Sequence, residues 1–487
     1  MLTALAIVLT ASQAQAQALS LTVPQLVPGE AIQVVVTGLN AGETVHLLRG
    51  GGVGNGSCPG VIGGQCLSIT GAPTLQTSLT ADAYGEAAYT LNVPGSAPVG
   101  LTLGWQAAAV RGAGGVDSIL SNAVETSVSS GPVCPVYADP DVLPGGDGSA
   151  GDPFPSIGYA LAYRDAACDE VLLYPGVYSE RLDFAGANVA VRSIEGPLST
   201  ILTSPVGTEH VQFVNGETEA AELSGVTIEC VDGPWHTGVF ISGASPTLTD
   251  LIIDGCDTAI DNDSGGGLLQ DSVIYVGGRG IDLSYASMTV RANSFREGTA
   301  DQAYLYYATD SVLDGNTFVR TTARDNQLVN VYGGTVTIMN NQFEADSTSL
   351  GLYLAYAESS LVANNTVLGS DDYGVYFYYG NGSVDFQNNT VESANGVYTY
   401  GSSSLPDTFT HNNVYPDVWG GYNSSRVGID DNISVDPTRD VYTNKLIWGS
   451  PLIDAGTDLW SVGVYTDLEG TSRPLGLGYD IGAYESW

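Results

Sequence analysis

A short unit decides the fold of this chain, and its clearest copies are Asn293-Ser294-Phe295, Asn316-Thr317-Phe318 and Asn341-Gln342-Phe343. These copies end 23 and 25 residues apart, and related units recur on both sides of them. The last residues of all the units are Ile228, Ile253, Ile274, Phe295, Phe318, Phe343, Val367, Val391 and Tyr415. A strand-like repeat of this length, with no helical stretch between its copies, is typical of a β-solenoid.

A second apolar strand precedes each unit within the repeat. Because side chains alternate along a strand, one set of its residues is expected to point into the solenoid. That inward set is Val239, Ile260, Ile281, Ala303, Val329, Leu352, Val375 and Val397. The asparagines that open the later units are predicted to stack as a buried amide ladder, which satisfies their polar groups. Its rungs are expected at Asn293, Asn316, Asn341, Asn365, Asn389 and Asn413.

Charge and composition restrict the partners. The 487-residue chain has a formal net charge of −39, and Lys445 is its only lysine. So acidic a surface argues against nucleic acid and against an anionic membrane surface. Residues 1–18 have the apolar core and small-residue cleavage site of an export signal. No other run is apolar and long enough to span a membrane. We therefore expect a secreted or cell-surface protein, and the sequence gives no indication of its oligomeric state.

The six cysteines are expected to form disulfides, since an exported chain lies where such bonds persist. Several pairings are open to six cysteines, and sequential pairing is the most attractive. It joins Cys58 to Cys66, Cys134 to Cys168, and Cys230 to Cys256. The last two cysteines follow equivalent positions of neighbouring coils, so stacking of the coils would bring them together.

Four segments follow from these patterns. Residues 1–18 are the signal, and 19–130 alternate short strands with turns, as in an immunoglobulin-like β-sandwich. Residues 131–435 form the parallel β-helix, and 436–487 form a C-terminal capping segment. Ser156 is a good N-cap for a short amphipathic helix that would close the open end of the solenoid. The predicted fold class is therefore all-β, with this helix as an N-terminal cap.

Two segments carry a resemblance to known proteins. Tyr137-Ala138-Asp139-Pro140, Pro153-Phe154-Pro155-Ser156-Ile157 and the Tyr174–Glu180 block resemble the first segment of exported bacterial right-handed parallel β-helix proteins, the pectin-lyase-like superfamily. The blocks Gly449–Gly456, Asp467–Pro474 and Gly478–Glu485 resemble the terminal segment of such proteins described as choice-of-anchor type. The resemblance implies a bacterial surface location. We expect this segment to cap the solenoid, with Asp454, Arg473 and Asp480 as buried polar pairs.

Tyrosines occupy the outward positions of the preceding strand in five consecutive coils. Tyrosine rings stack on the apolar faces of sugars, and their hydroxyl groups add hydrogen bonds. The alternative is cross-strand aromatic packing that stiffens the sheet, or a face that a partner covers. The predicted binding residues are Tyr304, Tyr306, Tyr332, Tyr353, Tyr376, Tyr378, Tyr398 and Tyr400.

An acidic group precedes the tyrosines. Asp261 and Asp282 are equivalent outward residues of adjacent coils, with Arg279 and His236 near them in sequence. A carboxylate pair about 5 Å apart suits a retaining glycosidase, and such carboxylates could also ligate Ca²⁺. The alternative is an acidic, solvated edge. The Gly-His-Gly and Arg-x-Lys blocks of polygalacturonases do not occur in this chain, which weakens the transfer of catalytic residues from that superfamily.

These observations favour a protein that binds extracellular polysaccharide or cell-surface glycan without cutting it. A polysaccharide lyase or glycoside hydrolase that uses Asp261, Asp282, Arg279 and His236 is the first alternative. A structural surface adhesin, whose tyrosines pack on another protein, is the second. Convergence of Arg279 and His236 on the aspartates would favour the enzyme, and burial of the tyrosines under a loop would count against binding.

Overall fold

A computed structural model describes residues 19–129, 134–164, 168–204, 209–230, 236–346, 348–369, 372–381, 383–401 and 404–487. The predicted export signal, residues 1–18, and the predicted domain boundary at 130–131 lie outside these residues. The chain is all-β and divides into two compact units, one ending at Cys168 and the other running from Asp169 to Trp487.

The first unit contains two antiparallel sheets packed as a sandwich. One sheet consists of Ser20–Thr22, Ala31–Thr37 and Ala87–Asn92, and the other of Thr44–Gly50, Thr74–Thr80, Thr102–Ala109 and Ile119–Ser127. Alternating residues such as Val34, Val45 and Leu47 point between the sheets and are fully buried, with Trp105 among them. Short 3-10 turns at Gly60–Ile62 and Ala113–Gly115 lie outside the strands.

A short strand and a helix complete the first unit. The strand is Val136–Ala138, and the helix Ile157–Tyr163 begins at the predicted cap, where the Ser156 hydroxyl accepts a hydrogen bond from the Tyr159 N–H at 3.1 Å. The Tyr163 hydroxyl donates to the side chain of Gln25 at 2.8 Å. The helix therefore packs on the N-terminal strands, and its closure of the solenoid stays a prediction.

The second unit is a parallel β-solenoid in which each coil contributes a strand to three faces. The A face consists of Leu182–Asp183, Glu209–Phe213, Thr237–Ser242, Thr258–Asp263, Arg279–Ser284, the first parts of Ala303–Asp314 and Gln327–Met339, then Leu350–Ala357, Val375–Phe377, Val397–Thr399 and Trp419–Gly421. The B face consists of Glu170–Leu173, Ala190–Ser193, Glu222–Ser224, Thr247–Thr249, Gly266–Gln270, Ser287–Arg291, the later parts of the two long strands, then Ser360–Ala363, Val384–Gln387 and Thr408–Thr410.

The C face is a separate sheet of 11 strands and holds the repeated unit. Its strands are Gly176–Ser179, Thr200–Thr203, Thr227–Glu229, Ile252–Asp254, Val273–Tyr275, Ser294–Arg296, Thr317–Val319, Gln342–Ala345, Thr366–Gly369, Thr390–Glu392 and Asn413–Tyr415. The strand pairing aligns Phe295, Phe318 and Phe343, whose stacked rings fill the core. All eight residues predicted to point inward from the A face are buried, which confirms the alternation.

The amide ladder is present, with one predicted rung misplaced. Each amide donates to the next side-chain oxygen at 2.9–3.1 Å, through Asn293, Asn316, Asn341, Asn365, Asn389, Asn412 and Asn432. Asn413 is therefore not a rung, because its strand register pairs it with Thr390, one position further along. The same one-residue shift makes Val414 the inward residue in place of Tyr415.

The C-terminal segment is irregular apart from a 3-10 turn at Trp460–Val462, and it runs back along the flank of the solenoid. Asn364 donates to the Asp480 carbonyl at 2.9 Å, and the Tyr484 hydroxyl donates to Gln342 at 2.7 Å. The C-terminal segment therefore contacts coils that precede the last coil of the solenoid.

The polar pairing within this segment differs from the prediction. Arg473 and Asp480 are buried as expected, but Arg473 forms its ion pair with Glu485 at 2.6 Å. Asp454 is exposed, and its carboxylate accepts a hydrogen bond from the Gly478 N–H.

The three sequential disulfides are confirmed: Cys58–Cys66, Cys134–Cys168 and Cys230–Cys256. No helix among the described residues has the length and apolarity needed to cross a membrane.

Candidate functional site

The two predicted aspartates occupy neighbouring positions on the A face. The register pairs Asp261 with Asp282, and the next coil places Tyr304 beside Asp282. Their strands are held in this register by buried Ile260 and Ile281 on the opposite side. The acidic pair and the aromatic rings therefore belong to one continuous outward row.

Asp261 lies at the edge of a cavity of about 450 Å³. The other walls come from Thr237, Asp257, Thr258, Gly278, Arg279, Thr299 and Ala300. Within the described residues, no hydrogen bond or ion pair reaches the Asp261 carboxylate. Burial, followed by the negative charge of Asp282, raises the pKa of Asp261 to about 6. A carboxyl group with this pKa can donate a proton near neutral pH.

Arg279 joins the acidic residues to the tyrosines. Its guanidinium forms an ion pair with Asp282, whose other oxygen accepts a hydrogen bond from Ser284 at 3.0 Å. The same guanidinium lies 4.5 Å from the centre of the Tyr304 ring, in cation–π geometry. Arg279 therefore balances the negative charge of Asp282. No cation of the described residues forms an ion pair with Asp261.

His236 does not join this group. Its ring packs edge-on against His210 of the preceding coil, with ring centres 5.7 Å apart. Neither His236 nor Asp282 lines the cavity beside Asp261. The structure therefore brings together Asp261, Asp282 and Arg279, and it places the predicted fourth catalytic residue elsewhere.

The eight predicted binding residues, which we call the strand tyrosines, largely pack on one another. Tyr353, Tyr376 and Tyr398 follow each other in register, with consecutive ring centres 5.3 and 4.7 Å apart. Burial, and then neighbouring tyrosines, raises the pKa of Tyr353 and Tyr376 to about 12. Most strand tyrosines are half-buried, and Tyr400 is the exposed one, at 40%. Cross-strand packing therefore accounts for much of this row.

Four further tyrosines are more open to solvent, and the sequence analysis missed them. We call Tyr285, Tyr307, Tyr356 and Tyr379 the corner tyrosines, because each lies where the chain passes from the A face toward the B face, at or just beyond the end of the A-face pairing. Their exposed fractions are 58, 42, 38 and 40%. The signal was present as a second aromatic directly after an outward position, in Tyr306-Tyr307 and Tyr378-Tyr379.

The two sets of rings are nearly perpendicular and form one continuous surface. Tyr306 and Tyr332 are stacked on each other, whereas Tyr307 lies at 89° to Tyr306 and 73° to Tyr332. Tyr356 links Tyr332 to the next coils at 5.4 Å. We call the strand and corner tyrosines together the tyrosine surface.

Three corner tyrosines occupy a backbone conformation that bulky residues avoid. Tyr285, Tyr307 and Tyr356 have φ of 54, 47 and 54°. At the same corner, Gly243 and Gly333 have φ of 61 and 75°, as expected for the residue that adopts this region without strain. Each left-handed tyrosine costs on the order of 1–3 kcal/mol. Stability alone would favour glycine or asparagine here.

No metal site accompanies these groups in the parts of the chain that the structure describes. No three His, Cys, Asp or Glu side chains among those residues lie together as metal ligands would. The expectation of Ca²⁺ therefore gains no ligand set from the described residues.

The second unit thus has the features of a parallel β-helix with an aromatic and an acidic outward row. Residues 237–391 and 322–433 match the family described as "Right handed beta helix region". This match and the three-faced coil agree in defining the unit as a right-handed parallel β-helix.

Several solved structures resemble the chain. The catalytic domain of a GH87 alpha-1,3-glucanase in complex with nigerose is 14% identical, covers 81% of this chain and 86% of its own, and has a TM-score of 0.39. Pectin methylesterase from carrot is 12% identical, with coverage of 64% and 90% and a TM-score of 0.30. Pectin methylesterase PemA from Erwinia chrysanthemi is 10% identical, with coverage of 62% and 93% and a TM-score of 0.29. These TM-scores are below 0.5, so none bears on the activity of this chain. No curated protein matches it in sequence.

Proposed function

We propose that this protein binds an extracellular polysaccharide or cell-surface glycan along the tyrosine surface, without cutting it. The observation that carries the proposal is an aromatic surface that extends over consecutive coils and stays open to solvent. Ring centres connect Tyr285, Tyr306, Tyr332, Tyr356, Tyr378 and Tyr400 in steps of 4.8–5.9 Å. A polymer whose units repeat along the solenoid axis can contact such a surface at many points.

The location of the protein supports the same proposal. Three disulfides are stable outside the cytoplasm, where structural polysaccharides and cell-surface glycans are found. The net charge of −39 keeps the protein away from other anionic polymers at low salt. We therefore place it in a secreted or surface-bound pool.

The test is a panel of immobilised polysaccharides and cell-surface glycans, scored for retention with and without Ca²⁺. The double variant Tyr307→Ala/Tyr400→Ala should lose retention by about tenfold or more, because two exposed rings are removed. The control is Tyr84→Ala, which removes a tyrosine that is 94% exposed on the first unit. Absence of any retained glycan, or equal losses in the two variants, would contradict the proposal.

A glycoside hydrolase or polysaccharide lyase is the second candidate, and the environment of Asp261 is the observation that favours it. Its raised pKa and its position beside a cavity suit a general acid, and Asp282, which forms an ion pair with Arg279, supplies the second carboxyl group. The same panel is therefore scored for new reducing or unsaturated ends. Product that disappears in both Asp261→Asn and Asp282→Asn would establish the enzyme and displace our first proposal.

A further inference from the structure

The corner tyrosines are arranged in a pattern that the strand tyrosines do not share. The strand register makes Gly243, Ser264, Tyr285, Tyr307, Gly333, Tyr356, Tyr379 and Gly401 equivalent residues of eight successive coils. Along successive coils, two tyrosines followed by a glycine therefore occur twice. We call these two sets the triplets: the first is Tyr285, Tyr307 and Gly333, and the second is Tyr356, Tyr379 and Gly401.

The ring of the second tyrosine in each triplet covers the glycine of the next coil. A methyl group added at Gly333 would lie 2.7 Å from two ring carbons of Tyr307, and one at Gly401 would lie 2.7 Å from a ring carbon of Tyr379. Both glycines are buried although they sit at an outer corner. One part of each ring therefore rests on the glycine of the next coil, while Tyr307 and Tyr379 stay 42 and 40% exposed.

The remaining corner rings continue this arrangement. Tyr285 is parallel to Tyr307 within 8°, with ring centres 5.9 Å apart. Tyr356 borders Gly380, where an added methyl group would lie 3.0 Å from its ring. The corner rings stand nearly at right angles to the strand tyrosines, for example 87° between Tyr285 and Tyr306. Tyr285 and Tyr307 thus stack on each other much as the strand rings do, while all four corner rings keep 38–58% of their surface exposed.

The charges around these rings restrict the ligand. No lysine or arginine occurs between residues 325 and 425, which include Tyr356, Tyr379 and both covered glycines. Asp263 pairs in register with Ser284, the residue before Tyr285. Asp310 lies three residues after Tyr307, and Glu358 lies two residues after Tyr356. These carboxylates would repel an anionic polysaccharide, whereas an uncharged one would not be repelled.

We propose that the four corner tyrosines form a stacking strip for a neutral polysaccharide that lies along the solenoid axis. This inference rests on the proposed function and specifies its contact residues and its ligand class. From Tyr285 to Tyr379 the strip spans four coil steps, or about 19 Å at about 4.8 Å per strand. A ligand that contacts both triplets must therefore be an extended oligomer, and a monosaccharide fills one ring at most.

The experiment measures the binding of laminarin, dextran and galactomannan, with polygalacturonate and alginate as anionic comparators, by affinity electrophoresis at two salt concentrations. Tyr307→Ala and Tyr356→Ala should each weaken binding of the preferred neutral polymer by about three- to tenfold, as expected for one lost stacking contact. Tyr353→Leu, which alters a half-buried strand tyrosine, should weaken binding less than either corner variant. Tyr275→Ala, which removes a 43% exposed tyrosine from the C face, is the control and should leave affinity within about twofold.

A glycine variant provides the sharper comparison because it removes no aromatic ring. Gly333→Ala should displace the Tyr307 ring and weaken binding about as much as Tyr307→Ala, and the double variant should be no worse than either single one. The matched control is Gly243→Ala, which places the same methyl group at the same left-handed corner with no atom within 4 Å. It carries the same backbone strain without a ring to displace, so its affinity should equal that of the wild type.

The outcomes separate this inference from the proposed function. If the wild-type protein retains no polysaccharide, the proposed function fails. If it binds but Tyr353→Leu abolishes binding while the corner variants do not, glycan binding stands and the strip is refuted. Tighter binding of polygalacturonate than of every neutral polymer would also refute the neutral ligand class. Equal losses in Gly333→Ala and Gly243→Ala would trace the effect to backbone strain and refute the ring geometry.

Discussion

Replacing Asp261 with asparagine is expected to stabilise the protein at neutral pH, although it removes the best candidate for a reactive group. Burial and the charge of Asp282 raise the pKa of Asp261 from 3.8 to about 6. The folded protein therefore binds this proton more tightly than the unfolded chain does. Consequently, ionised Asp261 opposes folding, and the free energy of unfolding should fall as the pH rises from about 4 to about 6.

The size of the effect follows from the pKa change. At 1.36 kcal/mol per pKa unit, the full shift corresponds to about 3 kcal/mol above pH 6. Since Asp261 is partly exposed at the edge of an open cavity, solvent screening reduces this to about 1–2 kcal/mol. Asp261→Asn should recover that amount at pH 7.5 and almost nothing at pH 4, where the wild-type carboxyl group is largely protonated in the folded state.

The assay is urea unfolding at pH 4, 5, 6 and 7.5, followed by circular dichroism. Asp282→Asn is the comparison: it deprives Arg279 of its ion-pair partner, but it also removes the charge that raises the pKa of Asp261, so its net effect at pH 7.5 should be within about 1 kcal/mol of zero. Asp261→Asn should thus be the more stabilising of these two isosteric changes on adjacent strands. An Asp261→Asn difference that is constant with pH, or a loss of stability at pH 7.5, would refute the reasoning about Asp261.

Three further predictions concern the scaffold. Asn365→Ala should lower the free energy of unfolding by about 2–6 kcal/mol, because the N–H of Asn341 and a facing carbonyl lose their buried partner; urea unfolding and faster amide exchange at Asn341 would report this. Arg473→Met should cost about 3–5 kcal/mol by leaving Glu485 charged and buried, and adding Glu485→Gln should recover part of that loss in the same assay. Trp105→Ala should destabilise the first unit by about 3–5 kcal/mol in the thermal transition of that unit, and an unchanged transition would contradict its central place in the sandwich core.

The repeat made the solenoid predictable because its constraints are local and are copied from coil to coil. Inward aliphatic residues and ladder asparagines recur at fixed positions, so one assigned coil assigns its neighbours. The prediction failed where the repeat changed length. Between Asn389 and the next rung the coil is one residue shorter than assumed, so Asn412 takes the place given to Asn413. A pattern read by residue type cannot choose between two adjacent asparagines, whereas strand pairing can.

The candidate sites were less predictable because they depend on side-chain direction at turns. The register of Asp261 and Asp282 followed from the repeat, but the orientation of His236 did not, since its ring turns to His210 in the preceding coil. Outward alternation identified the strand tyrosines and missed the corner set. Period-two alternation assumes extended backbone, so it does not give the direction of Tyr307 or Tyr356, whose φ angles are positive.

Asp261 and the left-handed corner tyrosines lie on the same outward surface, and each of them lowers the stability of the fold. Asp261 holds a carboxylate in a setting that favours its protonated form, and the corner tyrosines hold bulky residues where glycine is less strained. Each feature lowers stability, and each has a simple alternative elsewhere in the same repeat: Phe240 pairs with Asp261 in register, and Gly333 pairs with Tyr307. Coils without these features fold on the same scaffold. Selection for folding alone therefore does not explain them, and the glycan binding that we propose supplies a reason for keeping them.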